Sequence, residues 1–239
     1  MKVLMVMTSH EQLGDTGAKT GLWLEEFAAP YYALLDAGVE LVLASPRGGQ
    51  PPIDPSSEQA GALTDATRRF SEDEDAQELL AHTVRLDSVS SGDFDGTFYP
   101  GGHGPLWDLA TDESSHELLE RFISEEKPIA AVCHAPIVLK DLVNADGTSF
   151  LRGRRVTGFS DAEETMAGLA EVVPELLEDA LVSRGAIYSK ADVDFASHVV
   201  VDGLLVTGQN PASSGPAAEA LIKILHQSTS DARSQGVAQ

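Results

Sequence analysis

The chain contains a single cysteine, Cys133, and a histidine, His134, follows it directly. A thiol beside an imidazole can act as a nucleophile with its base, so the neighbouring residues decide whether the pair does chemistry or only packs. Ile129 to Val132 is short, apolar and preceded by Pro128, the pattern of a strand buried on both faces of a parallel sheet. The pattern breaks at Cys133, and Pro136 stands near the first position of an expected helix, where its missing N–H costs nothing. Cys133 and His134 are therefore expected on a sharp strand-to-helix turn, a nucleophile elbow. Such a turn lifts the thiol clear of the sheet and sets it near a helix N-terminus, whose partial positive charge favours the thiolate. A single cysteine can also close a strand as a small buried hydrophobe. The adjoining His134 and the run Gly101-Gly102-His103-Gly104 upstream favour the chemical reading.

That glycine run follows an expected strand, Asp95 to Tyr99, and invites a nucleotide-binding reading. It does not match Gly-x-Gly-x-x-Gly, and the chain has no Gly-x-x-x-x-Gly-Lys-Ser/Thr. Paired glycines at a strand end have another use: without Cβ atoms they let backbone N–H groups approach a reacting carbonyl oxygen. Gly101 and Gly102 are read as oxyanion donors, and His103 as a residue that lines the pocket. The histidines other than His134, which are His10, His82, His103, His116, His198 and His226, show no metal-ligand spacing along the sequence, so no metal site is expected.

Positioning these residues requires a parallel α/β core. Lys2 to Thr8 reads as a first strand, Gly21 to Ala37 as an amphipathic helix bent or divided by Pro30, and Val39 to Ala44 as a second strand. This β-α-β order implies a right-handed crossover. Residues 45–91 break the rhythm with Pro- and Gly-rich stretches and read as an insertion capping the sheet edge, with a short helix near Gln77 to His82. Helices are expected at Ser115 to Glu125, Asp161 to Leu169 and Pro174 to Val182, with a short strand at Arg155 to Thr157. A strand pair turns at Asp202-Gly203, and a last helix opens at Asn210-Pro211 and ends near His226. The length of 239 residues suits one domain, residues 1–227, followed by a frayed tail, 228–239.

Composition narrows the partners. With 38 acidic and 16 basic residues the net charge is −22, which repels nucleic acid and anionic membranes. The acids are dispersed, as on proteins of salt-rich cytoplasm, although ordinary acidic drift gives the same pattern. One cysteine excludes an intramolecular disulfide framework and suits a reducing compartment. The apolar stretch Val3 to Met7 is too short for a signal peptide and no run reaches membrane-spanning length, so the cytoplasm is expected.

Five motifs in order carry a resemblance to a known family: Lys19 to Glu26 (KTGLWLEE), Pro100 to Gly104 (PGGHG), Ala131 to Pro136 (AVCHAP), Thr157 to Thr165 (TGFSDAEET) and Thr207 to Ser214 (TGQNPASS). From Lys2 to about Leu225 the chain resembles the class I glutamine amidotransferase-like superfamily, in its heat-shock-protein-31-like glyoxalase III branch, related to the PfpI and Parkinson-linked proteins. The resemblance implies a flavodoxin-like three-layer α/β sandwich with a mostly parallel sheet, an elbow at Cys133 and a small inserted cap. It further implies an active-site histidine at His134 and a glutamate from the first long helix at the sulfur. That glutamate aligns with Glu26, with Glu25 a third of a turn away. Glu164 matches the acidic third member, with Asp161 and Glu163 close beside it. Ala29 stands where relatives carry a histidine, so no metal site is carried over.

The activity implied is a cofactor-independent glyoxalase III, a lyase converting methylglyoxal or glyoxal and water to the hydroxy acid, in a homodimer. The glutaminase members carry a late His-x-Glu pair, whereas His198 is followed by Val199 and Val200. The rival readings use the same cysteine: a stress-inducible holdase chaperone, a redox sensor, a protein deglycase or, more weakly, a peptidase.

Overall fold

The computed structural model describes the backbone of residues 1–144 and 146–236, and the side chains among them as far as residue 227. The elements are β1 (Lys2–Val6), α1 (Leu24–Asp36), β2 (Glu40–Ser45), α2 (Asp65–Glu72), α3 (Glu74–Ala81), β3 (Val84–Arg85), β4 (Gly96–Tyr99) and α4 (Glu113–Ser124). After them come β5 (Ile129–Val132), β6 (Arg155–Val156), α5 (Asp161–Ala167), α6 (Leu177–Ser183), β7 (Ile187–Tyr188), β8 (Val199–Asp202), β9 (Leu205–Gly208) and α7 (Ser214–Gly236).

Seven strands form one sheet in the order β3-β2-β1-β4-β5-β9-β8, and β6 pairs with β7 in a second, two-stranded sheet. All pairs in the large sheet are parallel except β8 with β9, the expected hairpin through Asp202-Gly203. Period-two alternation sorts the central strands between two cores. Val3, Met5, Phe98, Ala130 and Val132 face the side covered by α1 and α7, with Phe27, Tyr31 and Leu221. Leu4, Val6, Tyr99, Ile129 and Ala131 face the side covered by α4 and α6, with Leu119, Phe122 and Leu181. Helices on both faces of a parallel sheet make the expected flavodoxin-like sandwich.

Several expectations need correction. Pro30 lies inside α1 without dividing it, although its ring removes one backbone hydrogen bond. Residues 45–91 hold two helices, and β3 pairs with β2 through Ala44–Val84 and Ser45–Arg85, so this segment extends the sheet edge. The helix α2 is hidden in the charged sequence DATRRFSE, where Phe70 is the only large apolar residue; a reciprocal capping box between Thr64 and Thr67 starts it. The segment after the elbow is a 3-10 turn, Ala135–Leu139, with Pro136 in its first turn, and not an α-helix. The last helix runs past His226 to Gly236, and the remainder of the expected tail, 237–239, lies outside the described residues. Among the described residues no helix is long and apolar enough to cross a membrane.

Candidate active site

At the end of β5 the chain turns so sharply that Cys133 adopts φ 58°, a left-handed conformation rare for a residue with a side chain. Such strain persists only when the surroundings over-determine it. Here the Cys133 N–H donates to the carbonyl of Gly208 at 2.9 Å, at the end of β9, and its carbonyl accepts from the Phe159 N–H at 2.9 Å. Two neighbouring segments thus hold the elbow from both sides, and the thiol is directed toward His134, Glu26 and the glycine run.

The Cys133 sulfur lies 3.2 Å from His134 Nδ1, and His134 Nε2 lies 2.6 Å from Glu164 Oε2. The other carboxylate oxygen, Glu164 Oε1, lies 2.9 Å from His103 Nε2. Burial pushes Glu164 up, but hydrogen bonds from His103 and His134 outweigh it and hold the carboxyl at about 2. Burial, reinforced by the neighbouring His103 ring, pushes His134 down to about 4 against the pull of Glu164. At neutral pH the contact is therefore a neutral imidazole donating Nε2–H to a carboxylate, not an ion pair. This tautomer leaves Nδ1 as an acceptor facing the thiol. The imidazole is held in place by the His103 ring at 4.1 Å and the Phe159 ring at 4.4 Å between centroids.

Glu26, on the first turns of α1, reaches the sulfur from the other direction. It is fully buried, its Oε2 accepts from the Gly101 N–H at 2.9 Å, and Oε1 has no nitrogen or oxygen partner among the described residues. Burial raises its carboxyl to about 8, against the hydrogen bonds it shares with Cys133, Gly101 and Gly102. Its proton is thus present at neutral pH and available to the sulfur side of the site. Glu25 points elsewhere: half-buried, it accepts a hydrogen bond from the Thr64 hydroxyl. One third of a helical turn separates a carboxyl in the site from one that ties α1 to the start of α2.

Two expectations about this chemistry change. Burial and the adjacent Glu26 push the Cys133 thiol well above its ordinary value, so the resting group is a thiol and not a thiolate. Only a short 3-10 turn follows the elbow, and its small dipole does not offset desolvation. Gly101, expected to present its N–H to an oxyanion, already donates it to Glu26. The Gly102 N–H faces the sulfur and Glu26, where it favours their ionised forms. Both positions require glycine for packing: a Cβ on Gly101 would lie 2.6 Å from Glu26 Oε2, and one on Gly102 2.2 Å from the Gly21 carbonyl.

The three acids around residue 163 separate cleanly. Ser160 and Glu163 form a capping box at the start of α5, and Glu163 Oε1 also accepts from the Phe195 N–H and the Asn210 side-chain amide, each at 2.8 Å. Asp161 sits near Glu178 and Asp179; burial and those charges raise it to about 6. Only Glu164 meets the histidines. Phe159 against His134, with Phe195 at its edge 6.1 Å away, forms an aromatic wall that was not singled out from the sequence, although Phe159 lies inside one of the motifs.

The model of the DJ-1/PfpI family matches residues 19–224. The glutathione-independent glyoxalase Hsp3101 of Schizosaccharomyces pombe is 29% identical over 233 residues, covering 93% of this chain and 95% of that protein. Glyoxalase 3 of Candida albicans is 26% identical over 230 residues, covering 93% and 97%. Among solved structures, glyoxalase III of Candida albicans superposes with a TM-score of 0.87 at 25% identity, covering 94% of this chain and 97% of that one. Rapid Encystment Protein 24 KDa of Francisella tularensis gives 0.88 at 36% identity, covering 94% and 98%. With one family model matching most of the chain, including the elbow and the residues that surround Cys133, the chain belongs to the DJ-1/PfpI family.

Proposed function

We propose that this protein is a glutathione-independent glyoxalase that converts methylglyoxal and water to lactate through a covalent intermediate on Cys133. The observation that carries the reading is the position of one buried thiol between a neutral histidine acceptor and a protonated carboxyl. Relatives of nearly full length that are named glutathione-independent glyoxalases support it.

The site arrangement provides each proton transfer the reaction needs. As the sulfur adds to the aldehyde carbon C1, His134 Nδ1 takes the thiol proton, Glu164 stabilises the imidazolium, and Glu26 gives its proton to the aldehyde oxygen. The product is a hemithioacetal with Glu26 ionised. Glu26 then removes the hydrogen from C1, and the imidazolium protonates the C2 oxygen, giving an enediol. Return of the proton from Glu26 to C2, with loss of the C1 hydroxyl proton to His134, yields a lactoyl thioester. Water, deprotonated by Glu26, attacks this thioester, and the departing sulfur recovers its proton from His134. C1 is oxidised and C2 reduced by the same amount, so the net change is addition of one water and no external electron carrier is required. A carboxyl near 8 suits Glu26 to both giving and taking protons near neutral pH.

The same reading carries a cytoplasmic homodimer acting on methylglyoxal or glyoxal, with Cys133, His134, Glu26 and Glu164 as catalytic residues and Gly102 and His103 at the substrate's edge. Light scattering tests the dimer. The activity is tested by incubating purified protein with methylglyoxal in the absence of thiols and quantifying lactate. Lactate formation by the wild type and none by Cys133→Ser is expected; aggregation suppression without lactate formation, unchanged in Cys133→Ala, would favour the holdase reading instead.

A further inference from the structure

Residues 103, 134 and 164 are too far apart in sequence to form a recognisable ligand motif, yet one ligand atom from each lies within 4.8 Å of the other two, all three residues being buried. Both imidazoles direct Nε2 at one carboxylate, at 2.9 and 2.6 Å. We propose that His103, His134 and Glu164 form a binding site for a divalent transition-metal cation, Zn2+ foremost, whose occupancy switches off the thiol chemistry of Cys133. Two imidazole nitrogens and one carboxylate oxygen are a ligand set Zn2+ accepts, with bonds of about 2.0–2.2 Å and a fourth position left open. Tetrahedral ligand atoms at those bond lengths stand about 3.4 Å apart, and the three ligand atoms here already lie within 4.8 Å of one another, so binding needs side-chain adjustment and no change of fold.

Charge favours entry of a cation. The chain carries −22 overall, and Glu163, buried one residue before Glu164, adds negative charge close to His134. His103 is the most exposed of the three ligands and marks the side from which an ion enters.

The consequence for the chemistry follows from the two nitrogens of one ring. At rest His134 keeps its proton on Nε2, toward Glu164, and its bare Nδ1 accepts from the thiol. A metal on Nε2 displaces that proton to Nδ1, which then donates to the sulfur and can no longer accept from it. Glu164 is removed from His134 by the same event. Metal occupancy and base function are therefore mutually exclusive, without any movement of Cys133.

The binding site stands on geometry alone, whereas inhibition rests on the glyoxalase reading, so the two are measured separately. Zn2+ titration by calorimetry uses the Cys133→Ala protein, in which no thiol can capture the ion, and Co2+ absorption spectra serve as a second readout. One Zn2+ per chain and tetrahedral Co2+ d–d bands are expected. Adding His103→Gln or Glu164→Gln, each folded by circular dichroism, weakens binding by about 100-fold or more, beyond the loss typical of an outer-sphere partner. In the wild type, Zn2+ stops methylglyoxal turnover and a chelator restores it. Absence of binding in Cys133→Ala, or equal affinity in the double variants, overturns the site; absent turnover in the wild type leaves the binding result to decide it.

Discussion

Glu26→Gln separates stability from catalysis, because the same buried proton has opposite effects on the two. In the folded protein the Glu26 carboxyl titrates at about 8, whereas the unfolded chain titrates at the ordinary 4.5. Below pH 4.5 both states hold the proton and the group contributes no pH dependence. Between 4.5 and 8 the unfolded state ionises while the folded state cannot, so stability falls as pH rises; above 8 the loss is complete. At about 1.36 kcal/mol per pH unit this costs the fold roughly 3 kcal/mol at pH 7. Glutamine is isosteric, keeps an acceptor for the Gly101 N–H and offers amide protons to the sulfur side, but does not ionise. Urea denaturation of wild type and Glu26→Gln from pH 4.5 to 8 therefore shows a difference that grows by roughly 3 kcal/mol in favour of the variant by pH 7. Methylglyoxal turnover meanwhile falls about 100-fold or more, as expected for loss of a general acid–base. Glu25→Gln removes a carboxylate held by Thr64 outside the site, and keeps most turnover. A stability difference independent of pH, or a larger activity loss in Glu25→Gln, would refute the placement of the proton.

Other consequences are testable directly. The pH dependence of kcat/KM is bell-shaped, with an acid limb near 4 as His134 becomes protonated and an alkaline limb near 8 as Glu26 ionises; an acid limb at the ordinary histidine value contradicts the depressed imidazole. Gly102→Ala places a Cβ 2.2 Å from the Gly21 carbonyl at φ 88°, so it lowers stability by roughly 3 kcal/mol or more, read by thermal melting. If the charge of −22 is halophilic adaptation, the melting temperature climbs into molar KCl; a plateau below a few tenths molar reduces the charge to a solubility feature.

The sheet was legible because its central strands are short apolar runs bounded by turn residues, and the elbow because Cys133 ends one of them. Glu26 and Glu164 were reached through the resemblance, since helical spacing alone does not say which of two adjacent glutamates faces inward. One sequence signal bore on this: Ser160-Asp161-Ala162-Glu163 has the Ser-x-x-Glu form of a capping box, which commits Glu163 to the helix start and removes it from the histidines. The helix α2 escaped because its face is almost entirely polar and tertiary contact through Phe70 carries it. The raised thiol had no sequence signature, because desolvation depends on everything packed around Cys133, while an elbow pattern reports only the backbone. The convergence of His103 and His134 on one carboxylate likewise depends on β4, β5 and α5 meeting at one end of the sheet.

The central claim is that Cys133 carries the reacting carbon skeleton. Its most direct test is intact-protein mass spectrometry on samples quenched during methylglyoxal turnover without glutathione, with peptide mapping of the adduct. One methylglyoxal-derived group on Cys133, appearing before lactate and decaying as substrate is exhausted, is the predicted result. Turnover to lactate with Cys133 unmodified throughout, or undiminished in Cys133→Ser, would contradict it.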